Sequence, residues 1–246
     1  MPQYGFGAGT MIATRTDVAN STPQQFGVLQ NVELDFEFSI KELIGQSQFP
    51  VAIARSTGKI TGKAASARIA AKQYNDLFFG QTLTGSSGVV LISNETGTIP
   101  GTPYQITVAQ GATFAADQGV FFAATGLPLT KVASSPATGQ YSVNASGVYT
   151  FAAADTALGV LISYTYTVSS GASKIALSNQ LMGSQPIFKV VLQETFNSKL
   201  INLQLNACVA NKLSFPFKNQ DFVINGVEFQ AYADDSGNIG TITASE

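Results

Sequence analysis

Residues 31–41 read N-V-E-L-D-F-E-F-S-I-K, with Glu33, Asp35, Glu37, Ser39 and Lys41 alternating against Val32, Leu34, Phe36, Phe38 and Ile40. Side chains repeat every two residues in a strand, so the three carboxylates line one face about 7 Å apart. In water each neighbouring pair repels by roughly 0.6 kcal/mol. In a closed pocket the repulsion would grow severalfold and drive a proton onto one of them, so the stripe belongs on a broad wet surface. Other groups invite sharper chemistry. Glu33 with Glu37, or Asp234 with Asp235, has the composition of a glycosidase pair, but neighbours on one strand do not flank a substrate and no second group converges on them. The run D-D-S-G-N at 234–238 offers the oxygens of a calcium loop without its downstream glutamate, and reads as a turn. Gly5, Gly7 and Gly9 follow no strand and open no helix, which removes the phosphate-cradle reading. No catalytic residue, metal ligand or cofactor is expected.

Composition narrows the classes further. The chain has 246 residues, a net charge of −2 and 11% charged residues. No basic patch is available to grip nucleic acid through its phosphates. There is no histidine and one cysteine, Cys208, so the commonest general base, the commonest metal ligand and an internal disulfide are all missing. The expectation is a protein that is not an enzyme. Its thiol is a packing residue. No basic start precedes an apolar run and no stretch nears the ~20 apolar residues of a membrane span, so a soluble chain folding in a cytoplasm, without a membrane partner, is expected.

The elements that must carry the stripe are mostly strands. The first thirty residues have no sustained period and read as an extended arm. A loop region follows the acidic strand at 42–57, containing the apolar piece F-P-V-A-I-A, and then G-K-I-T-G-K-A at 58–64 reads as a strand with Lys59, Thr61 and Lys63 on one face. Paired antiparallel with the acidic strand, those lysines would lie across from its carboxylates. Residues 68–79 predict the one helix, with Ile69, Tyr74, Leu77 and Phe78 as its apolar stripe and Gly80 at its end. From 85 to 170 the only charges are Glu95, Asp117, Lys131 and Asp155, which marks a separate β-rich module with a hairpin over 140–151. V-L-I-S occurs at 90–93 and 160–163 and suggests adjacent strands where the insertion leaves and re-enters its host. Amphipathic strands return at 187–196 and 200–209, the second with Ile201, Leu203, Leu205, Ala207 and Val209 opposite Asn202, Gln204 and Asn206. The fold class is all-β with one short helix. A discontinuous core of 1–84 and 171–246 holds an inserted small β domain at 85–170.

The order of several segments resembles the major tail tube proteins of tailed bacteriophages. These are the arm Y-G-F-G-A-G, the strand V-E-L-D-F-E-F-S-I-K-E-L, F-P-V-A-I-A-R followed by G-K-I-T-G-K-A, the helix ending N-D-L-F-F-G, and V-E-F-Q-A-Y-A-D-D-S-G-N-I-G. The match covers most of 1–82 and 171–246, and the insertion departs from the plain pattern. The resemblance implies two packed antiparallel sheets in a sandwich or barrel, hexameric rings, and rings stacked into a hollow tube that conducts phage DNA. It implies a virion tail protein whose partners are itself, the tape measure, the baseplate or tail tip and the terminator. DNA is only a passing cargo. On this reading Glu33, Asp35 and Glu37, with Lys59 and Lys63, line the lumen, because a carboxylate wall repels DNA where a cationic one would hold it. The apolar side of the same strand builds the core. Tyr4 and Phe6 of the arm, and Phe49, Val51 and Ile53 of the loop after the first strand, make contacts between rings. The competing reading is a carbohydrate- or cell-surface-binding module with Tyr104, Tyr141, Tyr149, Tyr164 and Tyr166 as stacking residues.

Overall fold

The computed structural model describes residues 4–68, 70–85 and 87–245. The chain is mostly strand with one short helix, its sheets are built largely from antiparallel pairs, and no closed barrel forms among the described residues. It divides into two compact units, residues 1–83 with 175–246 and residues 84–174. The two connections, Leu83–Gly85 and Ser173–Ile175, pair with each other as a two-stranded sheet.

The first unit is one eight-stranded sheet. Its order is Gln24–Gln25, Thr10–Arg15, Phe188–Phe196, Lys199–Ser214, Asn225–Tyr232, Pro50–Ser66 and Leu29–Ile44, with Gly240–Ala244 beside the first half of Lys199–Ser214. Residues 10–15 are therefore not part of a free arm. Met11 and Ala13 are fully buried, paired within the sheet against Leu192 and Val190. Their small contrast with Ile12 and Thr14 hides the period in the sequence. The core gathers Phe188, Val190, Leu205, Cys208, Val227 and Phe229 on one sheet face with Leu77 of the helix and Phe26. Phe229 lies directly over Gly62, where a Cβ would collide with the ring. The regular alternation expected over 200–209 breaks at a bulge. Val190 faces Leu205 but Phe188 faces Cys208, so the thiol, rather than Val209, takes the core position.

The helix is shorter than expected. It runs over Ala71–Tyr74 and continues as a π-helical turn over Asn75–Phe79, closed by Gly80 in the left-handed region at φ 58°. Ala70 before it is extended and supplies no capping oxygen, which delays the start. Of the expected stripe, Tyr74 and Leu77 are buried and Phe78 packs on the core, while Ile69 lies outside the described residues.

The second unit packs two sheets on a shared core. Gly88–Thr98, Gly159–Val168 and Phe114–Phe122 form the three-stranded sheet, in that order. Gln105–Thr107, Val148–Phe151, Gln140–Val143 and Thr130–Lys131 form the four-stranded one, its last pair parallel. The strands bearing the two V-L-I-S repeats are hydrogen-bonded neighbours. The hairpin expected over 140–151 turns at 144–147, where Asn144 Oδ1 accepts the N–H groups of Ser146 and Val148 at 2.9 and 3.1 Å.

Candidate assembly surface

The acidic strand and the strand after it form a long hairpin, Leu29–Ile44 with Pro50–Ser66, in which Glu33 faces Lys63, Asp35 faces Thr61 and Glu37 faces Lys59. Among the described residues, only 60–66 of the hairpin pair with a further strand, Asn225–Tyr232. From these strands the hairpin continues as a two-stranded ribbon beyond Phe36 and Ile60. Residues 42–57, expected to be a loop, are thus mostly strand. Pro50 sits at the first position of its strand, where its missing N–H costs nothing, and the turn is confined to 45–49.

The ribbon has two unlike faces. One carries Glu33, Asp35, Glu37, Ser39 and Lys41 beside Lys63, Thr61, Lys59 and Thr57. Lys63 Nζ lies 3.4 Å from Glu33 Oε2 with both side chains half-exposed, a surface contact that water and salt screen. Ser39 Oγ and Thr57 Oγ1 share a hydrogen bond of 2.6 Å. The face continues across the sheet to Glu228, whose carboxylate is held below its usual range chiefly by the hydrogen bond from Lys212 at 2.8 Å. Carboxylates and ammonium groups therefore interleave, and the wall is not uniformly acidic.

The opposite face corrects an expectation. Val32 and Leu34 pack on the core, but Phe36, Phe38 and Ile40 do not and are 45, 51 and 61% exposed. Register places Ile44, Val51 and Ile53 on the same side, and Arg55 reports it directly, its guanidinium lying 4.7 Å above the Phe38 ring. All three are exposed. Six large apolar side chains thus stand partly or largely exposed along one side of the ribbon, with Glu42 among them in register with Ile53. Phe49, at the tip, is exposed as well. No family model matches the chain, and no curated protein matches it.

Tyr4 and Phe6 are exposed, but Phe6 is anchored: its N–H donates to Glu194 Oε1 at 2.7 Å and its ring lies 5.7 Å from that of Phe196. Residues 4–9 are thereby the arm that remains once residues 10–15 have entered the sheet. Gly7 and Gly9 adopt positive φ within it and no helix follows, so no phosphate cradle is built.

Asp234 and Cys208 are engaged in holding the fold. Asp234 Oδ1 accepts the N–H groups of Ser236 and Asn238, and its Oδ2 accepts Asn206 Nδ2 at 2.9 Å, which is the bonding of a bare turn. Cys208 is fully buried and burial pushes its thiol up to about 12. A hollow of about 500 Å³ is lined by Gly9, Thr10, Ile12, Val191, Gln193 and Thr195, with no titratable side chain among its described residues. No described helix is long and apolar enough to cross a membrane.

In the second unit all four charges singled out in the sequence have structural partners. Asp117 accepts the hydroxyls of Tyr141 and Tyr149 at 2.8 and 2.9 Å and meets Lys131 at 3.0 Å. Glu95 accepts Tyr164 Oη at 2.6 Å, and Asp155 accepts the Gly139 N–H at 2.8 Å. Burial and the Glu95 hydrogen bond push the Tyr164 hydroxyl up to about 12. Tyr141, Tyr149 and Tyr164 are core residues, closed to a stacking sugar; Tyr104 and Tyr166 are half-buried. These networks have no local signature, because Asp117 lies 24 and 32 residues from the tyrosines it binds.

Proposed function

We propose that this chain is a structural subunit of a hollow polymer, in which copies close into hexameric rings, rings stack into a tail tube, and phage DNA passes along the bore. The observation that carries the reading is the two-faced ribbon. One face is polar and continuous with four strands of the sheet, as a wetted wall requires. The other exposes Phe36, Phe38, Ile40, Ile44, Val51 and Ile53, which a solitary soluble protein would not leave uncovered. Burying each fully against a neighbouring copy is worth about 1.5–3 kcal/mol.

The wall suits a passing polyanion. DNA is held by proteins that offer ammonium groups to its phosphates and release counterions. Here Lys59 and Lys63 each face a carboxylate across the strand pair, and Lys63 meets its own at 3.4 Å. The polymer conducts its cargo because it has little net charge to hold it with. On this reading Tyr4 and Phe6, with Phe49, Val51 and Ile53, meet the adjoining ring, and the tape measure, baseplate or tail tip, and terminator meet the tube's interior or ends. The virion tail is its location.

Gel filtration with negative-stain imaging of the purified chain tests the reading. Rings or filaments with a central hole are expected. A folded protein that stays a small, solid particle at every concentration overturns it.

A further inference from the structure

The strand Phe188–Phe196 carries a side chain that its pattern does not call for. Phe188, Val190, Leu192, Glu194 and Phe196 alternate along one side, so a carboxylate stands in an otherwise apolar column. Its partner is the N-terminal arm. Glu194 Oε1 accepts the Phe6 N–H at 2.7 Å, its Oε2 would lie 3.0 Å from a Cβ at Gly5, and the Phe196 ring stands 5.7 Å from that of Phe6. The anchor is rigid, since Asn197 and Ser198 both take positive φ, 49° and 63°, as a two-residue turn between Phe196 and Lys199 requires. The arm is jointed. Gly7 takes φ 101° and a Cβ there would meet nothing within 4 Å, whereas a Cβ at Gly9 would strike the Gln193 carbonyl. Gly9 thus clamps the arm where the sheet begins, and Gly7 leaves it free to turn. Ladder pairing starts only at Thr10. Tyr4 and Phe6 are 68 and 78% exposed, against 0 and 1% for Met11 and Ala13, so the arm lies on the sheet without being built into it.

We propose that this contact is a latch: in the free chain Glu194 and Phe196 hold residues 4–9 back on their own sheet, and joining a polymer releases them about Gly7. The inference rests on the tube reading, which gives Tyr4 and Phe6 to the adjoining ring, and it names the contact that withholds them. Three features mark a hold that opens. Among the described residues one hydrogen bond, to a half-buried carboxylate, fastens the arm's backbone, and water takes up both groups when it breaks. The two aromatic side chains stay mostly exposed while latched, so a neighbouring copy offers them more burial than their own chain does. The joint lies between the fastened residue and the sheet, so release turns one glycine and leaves residues 10–15 in place. A closed latch also taxes assembly. Only the open fraction is competent to add, and the apparent affinity for a growing end scales with that fraction.

Glu194→Ala removes the acceptor and tests the latch through the critical concentration for polymerisation, read by pelleting. That concentration should fall roughly five- to tenfold, with the circular dichroism spectrum of the parent chain retained. A lock should act in the opposite sense. The chain carrying both Gly5→Cys and Glu194→Cys should stay unassembled when oxidised and polymerise at or below the parent's critical concentration once reduced, Cys208 being buried and out of reach. A critical concentration in Glu194→Ala equal to or above the parent's, or an oxidised double variant that polymerises as readily as the reduced one, overturns the latch and leaves the tube reading standing. A parent chain that forms no ring or filament at any concentration overturns the tube reading and the latch with it.

Discussion

Replacing Phe38 and Ile53 together by glutamate abolishes polymerisation while the monomer stays folded. Both side chains lie on the apolar side of the projecting ribbon and are 51 and 63% exposed in the single chain. Exposed substitutions of this kind change stability by roughly 0.5 kcal/mol, with a further cost of up to ~1 kcal/mol where a strand loses an aromatic or β-branched residue. In the polymer the balance is different. Each substitution removes about 1.5–3 kcal/mol of apolar burial and asks a carboxylate to leave water, a penalty of several kcal/mol per ion. Rings repeat the contact in every copy, so the loss multiplies. Sedimentation velocity should show a single small species, and circular dichroism should show an unfolding midpoint within a few degrees of the parent chain. Polymers that survive both substitutions would mean that the ribbon's apolar side is not a packing surface.

Asp117→Ala should destabilise the 84–174 unit by roughly 3–5 kcal/mol, because two buried hydroxyls lose their acceptor and each unsatisfied group costs ~1–3 kcal/mol. The carboxylate is 6% exposed and its tyrosine partners are 3 and 0% exposed, so water does not replace it. Burial alone would raise the Asp117 pKa, but hydrogen bonds from Lys131, Tyr141, the Gly119 N–H and Tyr149 outweigh it and hold the group below its usual range. A carboxylate depressed on folding stabilises the fold above its unfolded pKa of about 3.9, and that stabilisation is lost as pH falls through the lower folded value. The parent unit should therefore lose stability below about pH 4, and the alanine variant should lack this part of the acid transition. The chain has no tryptophan and 8 tyrosines, of which Tyr104, Tyr141, Tyr149, Tyr164 and Tyr166 lie in this unit, so urea unfolding followed by tyrosine fluorescence reads it. An unchanged midpoint would show that the network contributes nothing net.

The sequence disclosed elements whose two faces differ in kind. The acidic strand was legible because charge alternates with large apolar residues, and the insertion because its charges are so few. Thr10–Arg15 was not, since Met and Ala inside against Ile and Thr outside give almost no contrast. Residues 42–57 looked like a loop because Pro50, Gly58 and two shifts in pairing interrupt the period, yet the hairpin is long enough to keep its register across them. Cys208 reached the core through a bulge, which a two-residue repeat cannot anticipate. Exposure was the hardest quantity to read. Phe36, Phe38 and Ile40 look like core residues by type and remain exposed where the hairpin reaches and runs past the end of its pairing with Asn225–Tyr232. Tyr141, Tyr149 and Tyr164 look like surface stacking groups and are buried because distant carboxylates meet their hydroxyls.

An electron cryomicroscopy map of the assembled particle, read at side-chain detail around residues 33–37, is the most direct trial of a tube that conducts DNA past a charge-balanced wall. A central channel is expected, with Glu33, Asp35 and Glu37 turned toward it and Lys59 and Lys63 beside them. Those carboxylates on the outer surface, or a particle without a channel, would contradict it.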